Sequence, residues 1–434
     1  MALAQTDNRA QAATATPATA DTALWHSQAF MPRVRSHERV IVKGEGAYVW
    51  DEQGNRLLDG PAALWYCNVG HGRAELAQVA AAQMEQLAAY SNFQQIATRP
   101  AIELAERLVE IAPVDDAKVF LGSGGSDVVD FAAKLARRTW QVRGRPEKVT
   151  LVTRRQSYHG LHGYGTAIAG LEPNRLGFGP LLDDTARVAN TDAEALAALI
   201  AERGADTIAA FYCEPVMGTG GVILPPDGYL QRVEEICREN EIVFIVDEVI
   251  TGFGRTGATF ASDRFGITPD IMLMAKGITS GYLPLGAAVV SRDLWEPFWA
   301  PDSELIFHHG ITYSGHATAC AVALANLDIL EREELVARVA ELEPLLEAAL
   351  RPLESHPLVN EVRTGVGLLG AVEPVEPGLG DRIAAECVER GLLMRTITNG
   401  ALQVSPPFVV SDGDVEFIGV TLAEALDAVA ADRI

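Results

Sequence analysis

The chain has 434 residues, 48% of them hydrophobic, enough to bury a large core spread over two or three domains. Its 35 Lys and Arg stand against 58 Asp and Glu, a formal charge of −23, which argues against nucleic acid or an anionic membrane as a partner and favours a small-molecule enzyme. The five cysteines are scattered without a CxxC pair and no apolar run nears the roughly 18 residues of a membrane span, so no disulfide framework, zinc knuckle or spanning helix is expected and a reducing, cytoplasmic location is.

Residues 1–22, rich in Ala and Thr and without apolar periodicity, read as a disordered tail outside the fold. Residues 23–64 form an N-terminal segment of a small domain or a dimer arm. Its stretch LWHSQAFMPRV is too apolar for a linker, and GAYVWDEQGNRLLDG reads as a hairpin turning at Gln53 to Asn55. The motif ALWYCNVGHGR gathers Trp65, Tyr66 and two glycines, and ELAQVAAAQMEQL after it has the spacing of an amphipathic helix. From about residue 117 strands and helices alternate through KVFLG, VTLVT, TIAAFYCEP, VFIVDE and GAAVVS. That pattern predicts an α/β large domain over 65–325, a mostly parallel sheet with helices on both faces. A helix pair over about 315–351 leads into a smaller α+β domain, 326–434, with strands in EVRTGVGLLGAVEP, LLMRTI and ALQVSPP and helices between and after them.

The chemistry concentrates in VFIVDEVITGFGRTGATFASDRFGITPDIMLMAKG. Its apolar run VFIV delivers two carboxylates, Asp247 and Glu248, at a strand's carboxyl end, and Lys276 closes the apolar segment IMLMA just before Gly277. A lysine at such an edge can lose solvation, titrate down and act as an amine nucleophile toward carbonyls. Upstream, FLGSGGSD runs a strand through Gly124, Gly125 and Ser126 into a helix, which makes either an anion site or a plain capped turn. Tyr158 and His159 precede a glycine, and Glu214 ends a strand before a Gly-rich loop, each with a bland alternative as a core aromatic or a capping acid. His159 and His162 lack a third ligand at usable spacing, and the adjacent His308 and His309 would point apart, so no metal is expected. GFGRTG, residues 252–257, matches a dinucleotide-binding pattern. Gly266 and Pro269 interrupt the helix that pattern requires, which weighs against a nicotinamide oxidoreductase.

With these motifs in view the chain, from about Leu24 to its end, resembles the class III pyridoxal-phosphate-dependent aminotransferases, and among them the ω-type amine–pyruvate transaminases. The spacing DEVITGFGRTG to AKGITSGYLPLGA carries most of that resemblance. It implies fold type I of the pyridoxal-phosphate transferases and a homodimer with shared active sites, or a tetramer of such dimers. It implies Lys276 as the Schiff-base lysine, Asp247 on the pyridine nitrogen, and Val249 against the ring. It implies Gly125 and Ser126 at the phosphate, Tyr158 and His159 as the YHG pair, and Glu214 beneath the cofactor. Thr312 in TYSGH would reach the phosphate of the neighbouring subunit.

Departures refine the expectation. Transaminases of ornithine, acetylornithine and γ-aminobutyrate carry an arginine shortly before a Pro-Pro pair, where this chain has Gln403. Arg395 instead matches the mobile arginine of amine–pyruvate enzymes, able to hold a keto-acid carboxylate or swing away, and Trp65 matches their pocket wall. Gly124 and Asp127 stand where relatives show SGSE, a lost hydroxyl costing about 1 kcal/mol of cofactor binding. The expected reaction moves an amino group from a primary amine, an ω-amine with a long or bulky skeleton, to pyruvate. An aminomutase or a decarboxylating transaminase is the alternative on the same scaffold.

Overall fold

The computed structural model describes residues 23–432, so the expected tail 1–22 lies outside the described residues. Seven strands form the main sheet: β1 Lys118–Gly122, β2 Thr150–Arg154, β3 Thr185–Val188, β4 Ile208–Cys213, β5 Val243–Asp247, β6 Ile271–Met274 and β7 Gly286–Val290. Their spatial order is β1-β7-β6-β5-β4-β2-β3. Strands β2 to β6 run parallel to one another, and every residue of β4, β5 and β6 is buried. Continuous apolar runs of this kind need cover on both faces. Alternate side chains supply it: Tyr212 and Ile245 pack with Val128, Phe131 and Leu135 of helix Gly125–Val142, while Phe211 and Phe244 face Leu230, Val233 and Ile236.

GAAVVS, read from sequence as one more unit of the alternation, departs from it: β7 is antiparallel to both β1 and β6. The connection from Met274 to Gly286 contains a single turn of 3-10 helix, Lys276–Ile278, and a parallel return would need a crossover helix.

The C-terminal region carries a second sheet, with strands ordered Val359–Val366, Leu369–Pro374, Leu402–Val404 and Arg395–Thr396, beside helices Leu379–Glu389 and Asp412–Ala431. The helix pair before it breaks at Glu334, which adopts a left-handed φ of 50° between Ala317–Arg332 and Leu335–Leu350. LLMRTI, expected as one strand, is divided. Leu392–Leu393 runs parallel beside Arg56–Asp59, extending the N-terminal hairpin's sheet, and Arg395–Thr396 pairs antiparallel with Leu402–Gln403. The split occurs where Gly60 presses on the strand; a Cβ there would meet the Leu393 carbonyl at 2.6 Å and Met394 Sδ at 2.8 Å. Its result is to set Arg395 directly opposite Gln403.

One buried cation ties these parts together. Arg255 is wholly buried and donates to the carbonyls of Ser405 (3.1 Å) and Pro406 (2.6 Å) and to Asn68 Oδ1 (2.9 Å), lying 4.6 Å from the Phe408 ring.

Candidate active site

A cavity of about 370 Å³ opens at the carboxyl ends of β1, β4, β5 and β6, the edge where parallel sheets place their ligands. It collects Gly125, Ser126, Tyr158, His159, Glu214, Asp247, Val249 and Lys276 on one lining.

Asp247 is the last residue of β5 and is 6% exposed. Its Oδ2 lies 2.8 Å from Nδ1 of the fully buried His159, and its Oδ1 accepts from the Val249 amide at 3.1 Å. The imidazole is fixed from its other side, since Nε2 sits 3.0 Å from Thr153 Oγ1, itself 2.7 Å from Ser157 Oγ. A ring whose Nδ1–H faces Asp247 and whose Nε2 takes the threonine hydroxyl satisfies all these contacts and holds the Asp247 side chain in place on the cavity lining. Glu214 accepts from the amides of Tyr158 (3.0 Å) and Gly218 (3.1 Å), and burial raises it above the ordinary carboxylate range. It therefore fastens two loops to the cavity floor.

Lys276 follows β6 with a left-handed φ of 48°. Backbone of this kind in a non-glycine residue costs about 1–3 kcal/mol and has to be held by its surroundings. Asn326 holds it, donating to the carbonyls of Gly277 (2.9 Å) and Ile278 (3.1 Å). Asn68 packs so near Gly277 that a Cβ there would stand 2.5 Å from its Nδ2. Burial is the chief cause that lowers the Lys276 amine to about 8, opposed by Asp247 and Glu214 and assisted by Arg395.

The helix Gly125–Val142 begins on the cavity wall without a side-chain cap at Gly124, so its first amides are available to an anion. Ser126 Oγ accepts from the Leu161 amide at 3.2 Å, and Gly160, at φ +77°, comes so close that a Cβ would sit 2.3 Å from that hydroxyl. Asp127 is engaged elsewhere, accepting from the Ser123 amide (2.9 Å) and pairing with His162 (3.3 Å).

Three expected residues lie off this lining. Thr312 is exposed and borders an adjoining recess with Ser123 to Asp127 of the same chain. Trp65 is 1% exposed, with Arg395 stacked 4.9 Å from its ring. The neighbouring Tyr66 reaches the cavity instead, packed on Gly281. Sequence reasoning missed Tyr66, Ile250 and Thr279 as lining, although each stands within one to three residues of a position it singled out; the side a residue faces is set by the turns, not by the motif. The turn Ala62 to Trp65, with φ of 46°, 55° and 61° at Ala62, Ala63 and Trp65, sends successive side chains in directions no simple period gives.

The glycines of GFGRTG serve packing. A Cβ at Gly252 would meet the Glu248 carbonyl at 2.9 Å, Gly254 abuts Phe408, and the next helix begins only at Ala261, beyond them. Among the described residues no cluster of three His, Cys, Asp or Glu has metal-binding geometry, and no helix is long and apolar enough to cross a membrane.

The family described as aminotransferase class-III matches residues 30–426. Putrescine–pyruvate aminotransferase of Pseudomonas aeruginosa is 38% identical over 423 residues, covering 91% of each chain. Among solved structures, an (S)-enantioselective omega-transaminase from Thermomicrobium roseum superposes with a TM-score of 0.89 at 40% identity, over 93% of this chain and 96% of that one. A PLP-bound amine transaminase from an uncultivated Pseudomonas species superposes with a TM-score of 0.89 at 37% identity, over 94% and 99%.

Proposed function

Because the chain belongs to the class III aminotransferases, in their group that couples amines and ω-amino acids to pyruvate, we propose that it takes a primary amine with a long or bulky skeleton as donor. Pyruvate is the acceptor in this reading, and the products are an aldehyde or ketone and alanine. The observation that carries the reading is Arg395: half-buried, stacked on Trp65, hydrogen-bonded only by the neutral amide of Gln403, and with no carboxylate in ion-pair range among the described residues. Such a cation can take a keto-acid carboxylate bidentately, or give way to an uncharged chain without leaving a buried acid unpaired.

The cofactor of the family is pyridoxal 5'-phosphate, and the residues fit it. An uncapped helix start, a buried carboxylate and a low-titrating amine share one cavity of suitable size. Gly125 and Ser126 would hold the phosphate, Asp247 the pyridine nitrogen, Val249 and Tyr158 the ring, and Lys276 the aldehyde carbon. His159 and Glu214 support this set, the first by orienting Asp247 and the second by fixing the Tyr158 loop. When bound, the cofactor supplies an aldehyde that receives the amino group and an electron-accepting ring. Lys276, its amine partly neutral near pH 8, would move a proton between the substrate carbon and the cofactor's former aldehyde carbon. Asp247, buried and oriented by His159, would stabilise positive charge at the ring nitrogen.

Assembly belongs to the same proposal. Leu64, Met84, Leu87, Tyr90, Phe93 and Ile96 are all exposed on the single chain, an apolar surface that a homodimer would cover. The dimer would bring Thr312 of the partner subunit to the phosphate. Five free, buried thiols support a cytoplasmic location.

The test is a single-turnover spectrum of cofactor-loaded protein mixed with a panel of amines and no keto acid. Loss of the cofactor's absorbance with release of the matching aldehyde or ketone is expected for simple amines. A response confined to α-amino acids would overturn the donor assignment, and product formed without any need for an acceptor would favour a mutase. Arg395→Ala should slow the pyruvate half-reaction by about tenfold or more, the loss of a charge-assisted bidentate contact, and spare the half-reaction with an uncharged amine.

A further inference from the structure

Gln403 is wholly buried, and each end of its amide is engaged. Its Oε1 accepts from Arg395 Nη1 at 3.3 Å, and its Nε2 donates to the Pro61 carbonyl at 3.2 Å and to Ser405 Oγ at 2.7 Å. The opposite amide orientation would set an NH2 against a guanidinium and an oxygen against a carbonyl, so the partners themselves fix which end is which. The Pro61 carbonyl also accepts from the Trp65 amide at 3.1 Å, closing the left-handed turn that aims the Trp65 ring under Arg395. One neutral side chain thus joins the cation to the turn that carries its aromatic platform.

We propose that Gln403 is a positioning residue for keto-acid specificity, holding Arg395 and the Trp65 turn in mutual register while leaving the guanidinium fork open to a substrate carboxylate. Arginine has five N–H donors in a planar fork, and a single neutral acceptor on Nη1 occupies one of them. A carboxylate at position 403 would fill the fork and compete with substrate. An apolar side chain there would leave Arg395 untethered and remove the donor that ties the Pro61 carbonyl to it, the Trp65 amide and Ser405 hydroxyl remaining. The proposal rests on the reading of Arg395 as the partner of the keto-acid carboxylate.

The experiment measures KM and kcat for pyruvate, the rate of the amine half-reaction, and calorimetric binding of propionate, a carboxylate without a reactive carbonyl. It uses cofactor-loaded Gln403→Met, Gln403→Glu, Arg395→Ala and the two double variants. Gln403→Met should raise the pyruvate KM and weaken propionate binding by about fivefold, the value of one typical hydrogen bond, with the amine half-reaction unchanged. Gln403→Glu should raise the pyruvate KM further, by about tenfold or more, because its charge occupies Arg395. Neither change should add anything on an Arg395→Ala background, where a merely structural role would still be felt. Gln403→Asn, too short to span both partners, replaces Gln403→Met if that variant does not fold, with the same expectation. If Arg395→Ala weakens pyruvate binding and the Gln403 variants do not, or if they slow both half-reactions alike, the role of Gln403 is refuted and that of Arg395 stands. If Arg395→Ala itself leaves pyruvate and propionate binding intact, the reading of Arg395 fails and this proposal falls with it.

Discussion

Lys276 shows how a single residue's chemistry follows from its place. The apolar strand before it and Gly277 after it are visible in the sequence, and the structure adds the left-handed turn, the Asn326 anchor and an amine lowered to about 8. The lowering has a sign for stability. An unfolded lysine titrates near 10.4, so between about pH 8 and that value the unfolded chain binds the extra proton and the cofactor-free fold gains stability as pH rises. The unfolding temperature of Lys276→Met should therefore exceed that of the parent below pH 8, with the gap narrowing as pH climbs toward about 10.4. A gap independent of pH would mean that Lys276 is not desolvated. Lys276→Ala should abolish turnover with the fold intact. The carboxylate partner was equally legible, because a strand ending in Asp247 announces itself. Its imidazole is not: His159 lies 88 residues away, in a YHG motif whose sequence names no carboxylate for it, and the structure seats it 2.8 Å from Asp247.

At the scale of elements, the stretch from Gly252 to Gly257 changed meaning. Its glycines invite a nucleotide reading, but Arg255 among them points inward and clamps the Ser405–Pro406 backbone and Asn68. A guanidinium buried without a carboxylate survives there because carbonyls and an aromatic face share its charge, although burial still lowers it to about 9. Arg255→Met should cost about 3 kcal/mol in urea unfolding, since it strands the Ser405 and Pro406 carbonyls and the Asn68 amide oxygen. A cost under about 1 kcal/mol would show the clamp to be redundant. The same register matters for specificity, since Pro406 follows Ser405 and Gln403, and the division of LLMRTI between two sheets is what sets Arg395 against Gln403. Nothing local marks that division. It depends on Gly60, which meets the strand from more than three hundred residues away.

For the whole molecule, all five cysteines are free and buried. Burial pushes Cys213 up to about 11 and Cys320 and Cys387 to about 12, with Cys67 and Cys237 also raised. Native protein should react negligibly with a disulfide reagent at pH 8 over minutes, and all five thiols should appear in guanidinium. Rapid reaction of one thiol in the native state would locate an opening motion that the packed fold does not show.

By itself the sequence determined the α/β alternation, the strand-end acids, the amine and the helix start at Gly125, because each is written in a local period or a contiguous motif that backbone geometry must obey. The tertiary structure alone decided that β7 runs antiparallel, that His159 meets Asp247, that Tyr66 and not Trp65 lines the cavity, and that Gln403 holds Arg395. Those outcomes depend on contacts between distant segments and on turns that re-aim side chains. Their energies are fixed by neighbours that no local pattern names.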